Sequence, residues 1–102
     1  MRKIHVIIKE PGRIPRSVWI SDSAQNLQKT VCGKPETVNI AADLMIIYDG
    51  ESRLHGKPFC CEICKTDFAG TVILAGVKNG EPDSIPVSYG ELKKLMPSLW
   101  CV

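Results

Sequence analysis

Residues 70–77, Gly-Thr-Val-Ile-Leu-Ala-Gly-Val, are almost wholly apolar and rich in β-branched side chains. A half-exposed strand would alternate, so an unbroken octet of this composition suits a strand covered on both faces. It is predicted to thread the middle of a sheet, and the rest of the chain must supply its neighbours. The stretch directly before it, from His55 to Ala69, carries three of the five cysteines, a Gly56-Lys57-Pro58 turn and Phe59. The richest chemistry therefore lies beside the predicted core.

The flanking sequence reads as a short α+β chain. Lys3 to Lys9 sets Ile4, Val6 and Ile8 on one face and His5, Ile7 and Lys9 on the other, the period-two pattern of a strand with one buried face. Glu10-Pro11-Gly12 breaks it, because proline has no amide hydrogen for a ladder and glycine tolerates positive φ. Ser17 to Ile20 then returns as the second arm of a hairpin. Ser21, Asp22 and Ser23 offer N-cap oxygens, with Gln25 three residues after Asp22 as in a capping box. The stripe Ala24, Leu27 and Val31 follows, so a helix is predicted to end near Val31 or Cys32, before Gly33.

Two further strands are predicted at Pro35 to Ala41 and Asp43 to Asp49, the second interior because Leu44 to Tyr48 is continuously apolar. Asp49-Gly50 reads as a turn. His55 to Gly70 is the least regular part, with room for a short strand or one helical turn around Cys60 to Cys64. Lys78 to Asp83 reads as a polar turn, Ser84 to Val87 as an edge segment, and Ser88-x-x-Glu91 as a capping box opening a last helix through Leu92, Leu95 and Met96. Pro97 ends it, and Trp100 and Val102 are expected to fold back onto the core. The predicted fold is a single α+β domain over residues 1–102, a largely antiparallel sheet of five or six strands with two short helices packed on one face.

At 102 residues and 44% hydrophobic content the chain has room for one core. The formal net charge is +2, but five basic residues fall in the first sixteen against the single acid Glu10. Convergence of those cations on one face would suit phosphates, whereas strand alternation splits them. The expectation is a solvated edge, with nucleic acid disfavoured as a partner. The longest apolar runs are far below the roughly 20 residues needed to span a bilayer, so no membrane association is expected. An odd number of cysteines and no leader pattern point to reduced thiols and a cytoplasmic location.

Catalytic constellations are sparse. There is no nucleophile elbow, phosphate loop or His-Glu-x-x-His, and Asp43, Asp49, Glu51, Glu62 and Asp67 read as solvated loop acids with no acid–base pairing. Cys61 and Cys64 form the C-x-x-C of a zinc knuckle, with His55 upstream, but a closed site needs four ligands. Redox use of the motif lacks its βαβ context. The cysteines are expected to pack as small hydrophobes, with no metal and no cofactor. His55, Lys57, Phe59, Cys61 and Cys64 are instead expected to form a contact surface, because an exposed aromatic in an irregular loop marks one.

Several short motifs run through most of the chain in order: Glu10-Pro11-Gly12 closing the first strand, Leu27-Gln28-x-x-Val31-x-Gly33, Gly56-x-Pro58, and Phe68-Ala69-Gly70-Thr71-Val72. In these the sequence resembles a family of small uncharacterised proteins of phages and gut Firmicutes, grouped as a domain of unknown function. The resemblance implies a mobile-element origin and a cytosolic protein, not an activity. Members often carry Asn-Arg after the Gly-x-Pro turn, where this chain has Phe59-Cys60, so any role of that polar pair does not transfer. The expected function is a non-enzymatic interaction module that binds a host protein through the 55–67 loop. The alternative is a small metal-binding, nucleic-acid-associated factor using the cysteines and the basic N-terminus. Edge strands would also allow two copies to pair as a homodimer.

Overall fold

A computed structural model describes residues 2–101; Val102 lies outside the described residues, and with it the expectation that it folds back. Among the described residues the chain runs β1 (Lys3–Lys9), β2 (Arg16–Ser21), α1 (Ala24–Val31), β3 (Pro35–Ala41), β4 (Leu44–Asp49), β5 (Phe59–Ile63), β6 (Thr66–Ala69), β7 (Val72–Lys78), β8 (Glu81–Asp83) and α2 (Tyr89–Leu95), then a 3-10 turn at Pro97–Trp100. The main sheet has six strands in the order β2-β1-β7-β4-β3, with β8 also paired to β7. Every pairing in it is antiparallel.

The apolar octet is central, as its composition demands. β7 pairs with β4 on one side and with β1 and then β8 on the other, and Val72 to Gly76 are buried. Gly76 is required there because a Cβ would run into the Ser84 carbonyl. The β7–β8 turn is Asn79-Gly80 with both φ positive, the type I′ geometry that matches strand twist. The returning strand therefore occupies 81–83, and the predicted edge segment at 84–87 instead leads into α2.

The sheet is covered on both faces, which corrects the expectation that the helices share one. Ile4, Val6 and Ile8 of β1 pack with Met45, Ile47 and Ile73 under Leu27 and Val31 of α1. On the opposite face Ile7, Ile46 and Leu74 pack against Cys60, Cys61, Ile63 and Phe68 of the β5–β6 hairpin and against Leu92 and Leu99. β1 is therefore not a half-buried strand: Ile7 and Lys9 are as buried as Ile4 and Val6. The Lys9 stem lies in that interior, while its ammonium donates to the carbonyls of Glu10 (3.0 Å) and Arg13 (2.5 Å) and so braces the β1–β2 turn.

α2 starts at its expected capping box, whereas α1 is capped by Ser23, one of the three candidate oxygens, and not by a box of Asp22 with Gln25. Ser23 Oγ accepts from the Asn26 amide at 3.2 Å, and Cys32 closes α1 in the left-handed region at φ 55°. Ser88 and Glu91 form a reciprocal capping box. Trp100 donates its indole N–H to the Tyr89 hydroxyl (3.0 Å), which donates to the Pro15 carbonyl (2.7 Å), so the C-terminal turn is tied to the β1–β2 loop. Two buried layers sharing one strand make a direct prediction. Ile73→Ala and Leu74→Ala, which empty opposite faces of β7, should each cost about 2–5 kcal/mol in urea unfolding. A markedly smaller loss at Leu74 would mean that the hairpin does not cover its face.

Candidate functional site

Asp49 ends β4 with its side chain fully buried. The turn reading of Asp49-Gly50 holds for the backbone, but the carboxylate is not a solvated loop acid. Its Oδ1 accepts from the amides of Lys34 (3.1 Å) and Glu51 (2.9 Å). Its Oδ2 accepts from His55 Nδ1 at 2.7 Å and lies 2.8 Å from Lys57 Nζ. Burial pushes the carboxyl upward, but Lys57, the Glu51 amide, His55 and the Lys34 amide outweigh it and hold the group well below the usual carboxylate range. Gly33 completes the arrangement, because a Cβ at that position would collide with the Asp49 carboxylate.

Lys57 carries the network to the helix. Its ammonium also donates to the carbonyls of Val31 and Cys32, both at 2.7 Å, at the C-terminus of α1 where unpaired carbonyls concentrate partial negative charge. One carboxylate thus joins the end of β4, the end of α1 and the start of the 55–67 segment. Of the five residues expected to form a contact surface, Lys57 is accordingly inward: its side chain is only 16% exposed. His55 is tied by Nδ1 and keeps its outer ring edge toward solvent.

Beyond Pro58 the irregular segment is a hairpin, not a surface loop. β5 and β6 pair antiparallel with one extra residue in β5 between Phe59 and Cys61. That bulge breaks the alternation, so the neighbouring Cys60 and Cys61 both turn into the core. Cys61 is therefore not part of an exposed face. Its hydrogen bond with Cys60 and its burial push the thiol up, against reactivity. Cys64 and Lys65 form the two-residue turn, both with positive φ, which leaves Cys64 exposed at the tip. Phe59, at 62% exposure, stays outside as expected.

What the hairpin shapes is a concavity. A groove of about 310 Å³ lies between the β3–β4 edge, the 50–54 turn and β6, lined among others by Val38, Tyr48, Glu51, Leu54 and Phe68. Leu54 is 81% exposed and Val38 39% exposed. Tyr48 and Phe68 meet edge to face, ring centres 5.2 Å apart, and give the groove a rigid floor. Neither Leu54 nor Val38 was singled out from sequence. Leu54 alone, an apolar residue in the polar run Glu51-Ser52-Arg53, carried a signal.

The candidate ligands of the metal alternative are not brought together. Among the described residues no three His, Cys, Asp or Glu side chains are placed to share an ion. Arg2 bonds Asp22 at 3.0 Å and lies 3.4 Å from Asp83, Arg16 bonds Glu10 at 3.1 Å, and Lys9 is buried, so three of the five N-terminal cations are ion-paired or buried. No helix among the described residues is long and apolar enough to cross a membrane.

Two measurements check this geometry. Because the folded Asp49 carboxyl lies below its unfolded value, its contribution is complete above pH about 4 and is lost as pH falls further. Asp49→Asn should cost about 3 kcal/mol at neutral pH, and its stability should fall less steeply than that of the parent under acid, read by denaturant melts from pH 7 to 2. Separately, Cys32, Cys64 and Cys101 are exposed while Cys60 and Cys61 are buried. A thiol reagent should titrate three thiols in the native protein and the other two only after unfolding.

The model of a family described as "Domain of unknown function (DUF3846)" matches residues 1–97. No curated protein and no solved structure matches the chain.

Proposed function

The chain belongs to the DUF3846 family, and we propose that it is a non-enzymatic interaction module of phage or mobile-element origin whose partner is a host protein. The observation that carries this reading is the groove beneath Leu54 and Val38, where large apolar side chains stand in solvent over an aromatic floor. Exposed apolar surface has a free-energy cost that a partner's side chains would remove, and anchoring residues of interfaces occupy such concavities. Phe59 adds a second exposed anchor on the hairpin. The contact face is thus the outer side of 50–68 with Leu54 and Phe59 as anchors, and His55 and Cys64 at its margins.

Rigidity supports binding over catalysis. The Asp49 network ties the start of the segment to β4 and α1, and a pre-ordered face loses less entropy on association. Asp49 and His55 do orient an imidazole, yet among the described residues no hydroxyl or thiol is bonded to its outer nitrogen, so the pair lacks a nucleophile to activate. An origin in a phage or integrated element is supported by the motif resemblance, and a host protein is the partner class that such an origin supplies.

The test is affinity capture from host lysate with the parent chain beside Leu54→Ala and Phe59→Ala. A partner should be retained by the parent and its affinity lowered about tenfold or more by each change, with melting temperatures unaltered. Capture that is indifferent to both substitutions would refute this face.

A further inference from the structure

The two margins of the sheet are built differently. β3 starts on Pro35 and slips register between Asn39 and Ala41, both of which blunt an edge against pairing. β2 has neither device: it pairs with β1 at six successive positions without a bulge. The Asp22 amide bonds to the Arg2 carbonyl at 3.1 Å, which fixes the phase of the ladder. Arg16, Val18 and Ile20 exchange bonds with β1, and the N–H and C=O of Ser17, Trp19 and Ser21 turn outward. Among the described residues one hydrogen bond reaches that outer margin, from Asn26 Nδ2 to the Ser21 carbonyl at 3.0 Å, and a carbonyl has a second lone pair.

We propose that β2 pairs antiparallel with β2 of a second copy of this chain about a two-fold axis at Trp19. In that register Ser17 faces the partner's Ser21 and Trp19 faces the partner's Trp19, so all the outward groups bond in about six backbone hydrogen bonds. On the α1 side Val18, half-buried, faces the partner's Ile20, and Arg16 faces the partner's Asp22. Arg16 already bonds Glu10, and Asp22 already bonds Arg2. Pairing therefore joins two exposed ion pairs into one alternating row of four charges at each end of the ladder. Sliding by two residues either way sets Arg16 against an apolar residue or Asp22 against Val18, so the charges select one register. A second copy satisfies this pattern twice by symmetry, which an arbitrary extended peptide does not.

Trp19 is shaped for the axis. It is 65% exposed, and its ring lies 5.2 Å from that of His5, whose Nε2 shares a hydrogen bond with Ser17 Oγ. The indole is thus already ordered beside the margin it would cover. This surface is at the opposite edge of the sheet from β3 and the groove, so it stands or falls separately from the partner-binding face.

Sedimentation velocity over a dilution series tests the pairing. The parent chain should show a concentration-dependent monomer–dimer equilibrium. Ser17→Pro should be monomeric at concentrations where the parent is dimeric, because it removes an outward N–H and leaves the β1 ladder whole; Ser17→Ala, which loses the same hydroxyl bond to His5 but keeps the N–H, should still dimerise. Arg16→Asp and Asp22→Arg should each weaken self-association about tenfold or more. Mixing the two should restore dimers, since the mixture regains an opposite-charge pair at each end. A parent chain that stays monomeric to about 1 mM, a folded Ser17→Pro variant that still dimerises, or a mixture no tighter than its components would overturn the proposal.

Discussion

A carboxylate with no exposure to water is the constraint on which the junction of α1, β4 and the 55–67 segment depends. Asp49 would be strongly unfavourable there without compensation, and it receives two amides, an imidazole and an ammonium. Those donors come from the α1–β3 connection, the turn after β4 and the segment leading to β5. Satisfying one charge thereby fixes how three parts of the chain meet. Lys57 extends the arrangement by closing the C-terminus of α1, which otherwise presents unpaired carbonyls.

The second constraint is β7. A strand with apolar residues on both faces needs two covers, and α1 supplies only one. The other is assembled from the β5–β6 hairpin, α2 and the last turn. The cysteine pair is part of that cover: a bulge sends Cys60 and Cys61 inward together, where they act as small apolar side chains. Chemistry that looked available in one dimension is used up in packing, and the surface left over is the tip at Cys64, the ring of Phe59 and the groove beside Leu54.

Solvent-facing features fall at opposite margins. The groove is framed by β3 and β4, while the open backbone groups belong to β2. Under the two proposals above, a pair of chains joined through β2 would present two identical grooves at once, which raises avidity without any new contact.

Local physics made much of the fold legible in the sequence. β1, β2, α1, β3, β4 and α2 follow from period-two or period-3.6 patterning, cap residues and breakers, all of which act within a few residues. The centrality of β7 followed from composition alone. Of the β5–β6 hairpin only a short strand around Cys60 to Cys64 was legible, as one of two alternatives; its partner was not, because the turn is Cys64-Lys65, residues that rarely adopt positive φ, and the bulge disguises the alternation. Nor was the role of Asp49, Lys57 and Gly33, which lie apart in sequence and are joined only when α1 docks beside the end of β4. Burial of a charge depends on what surrounds it from every direction, and that is decided by tertiary packing; strand and helix periodicity, in contrast, is a property of neighbours along the chain.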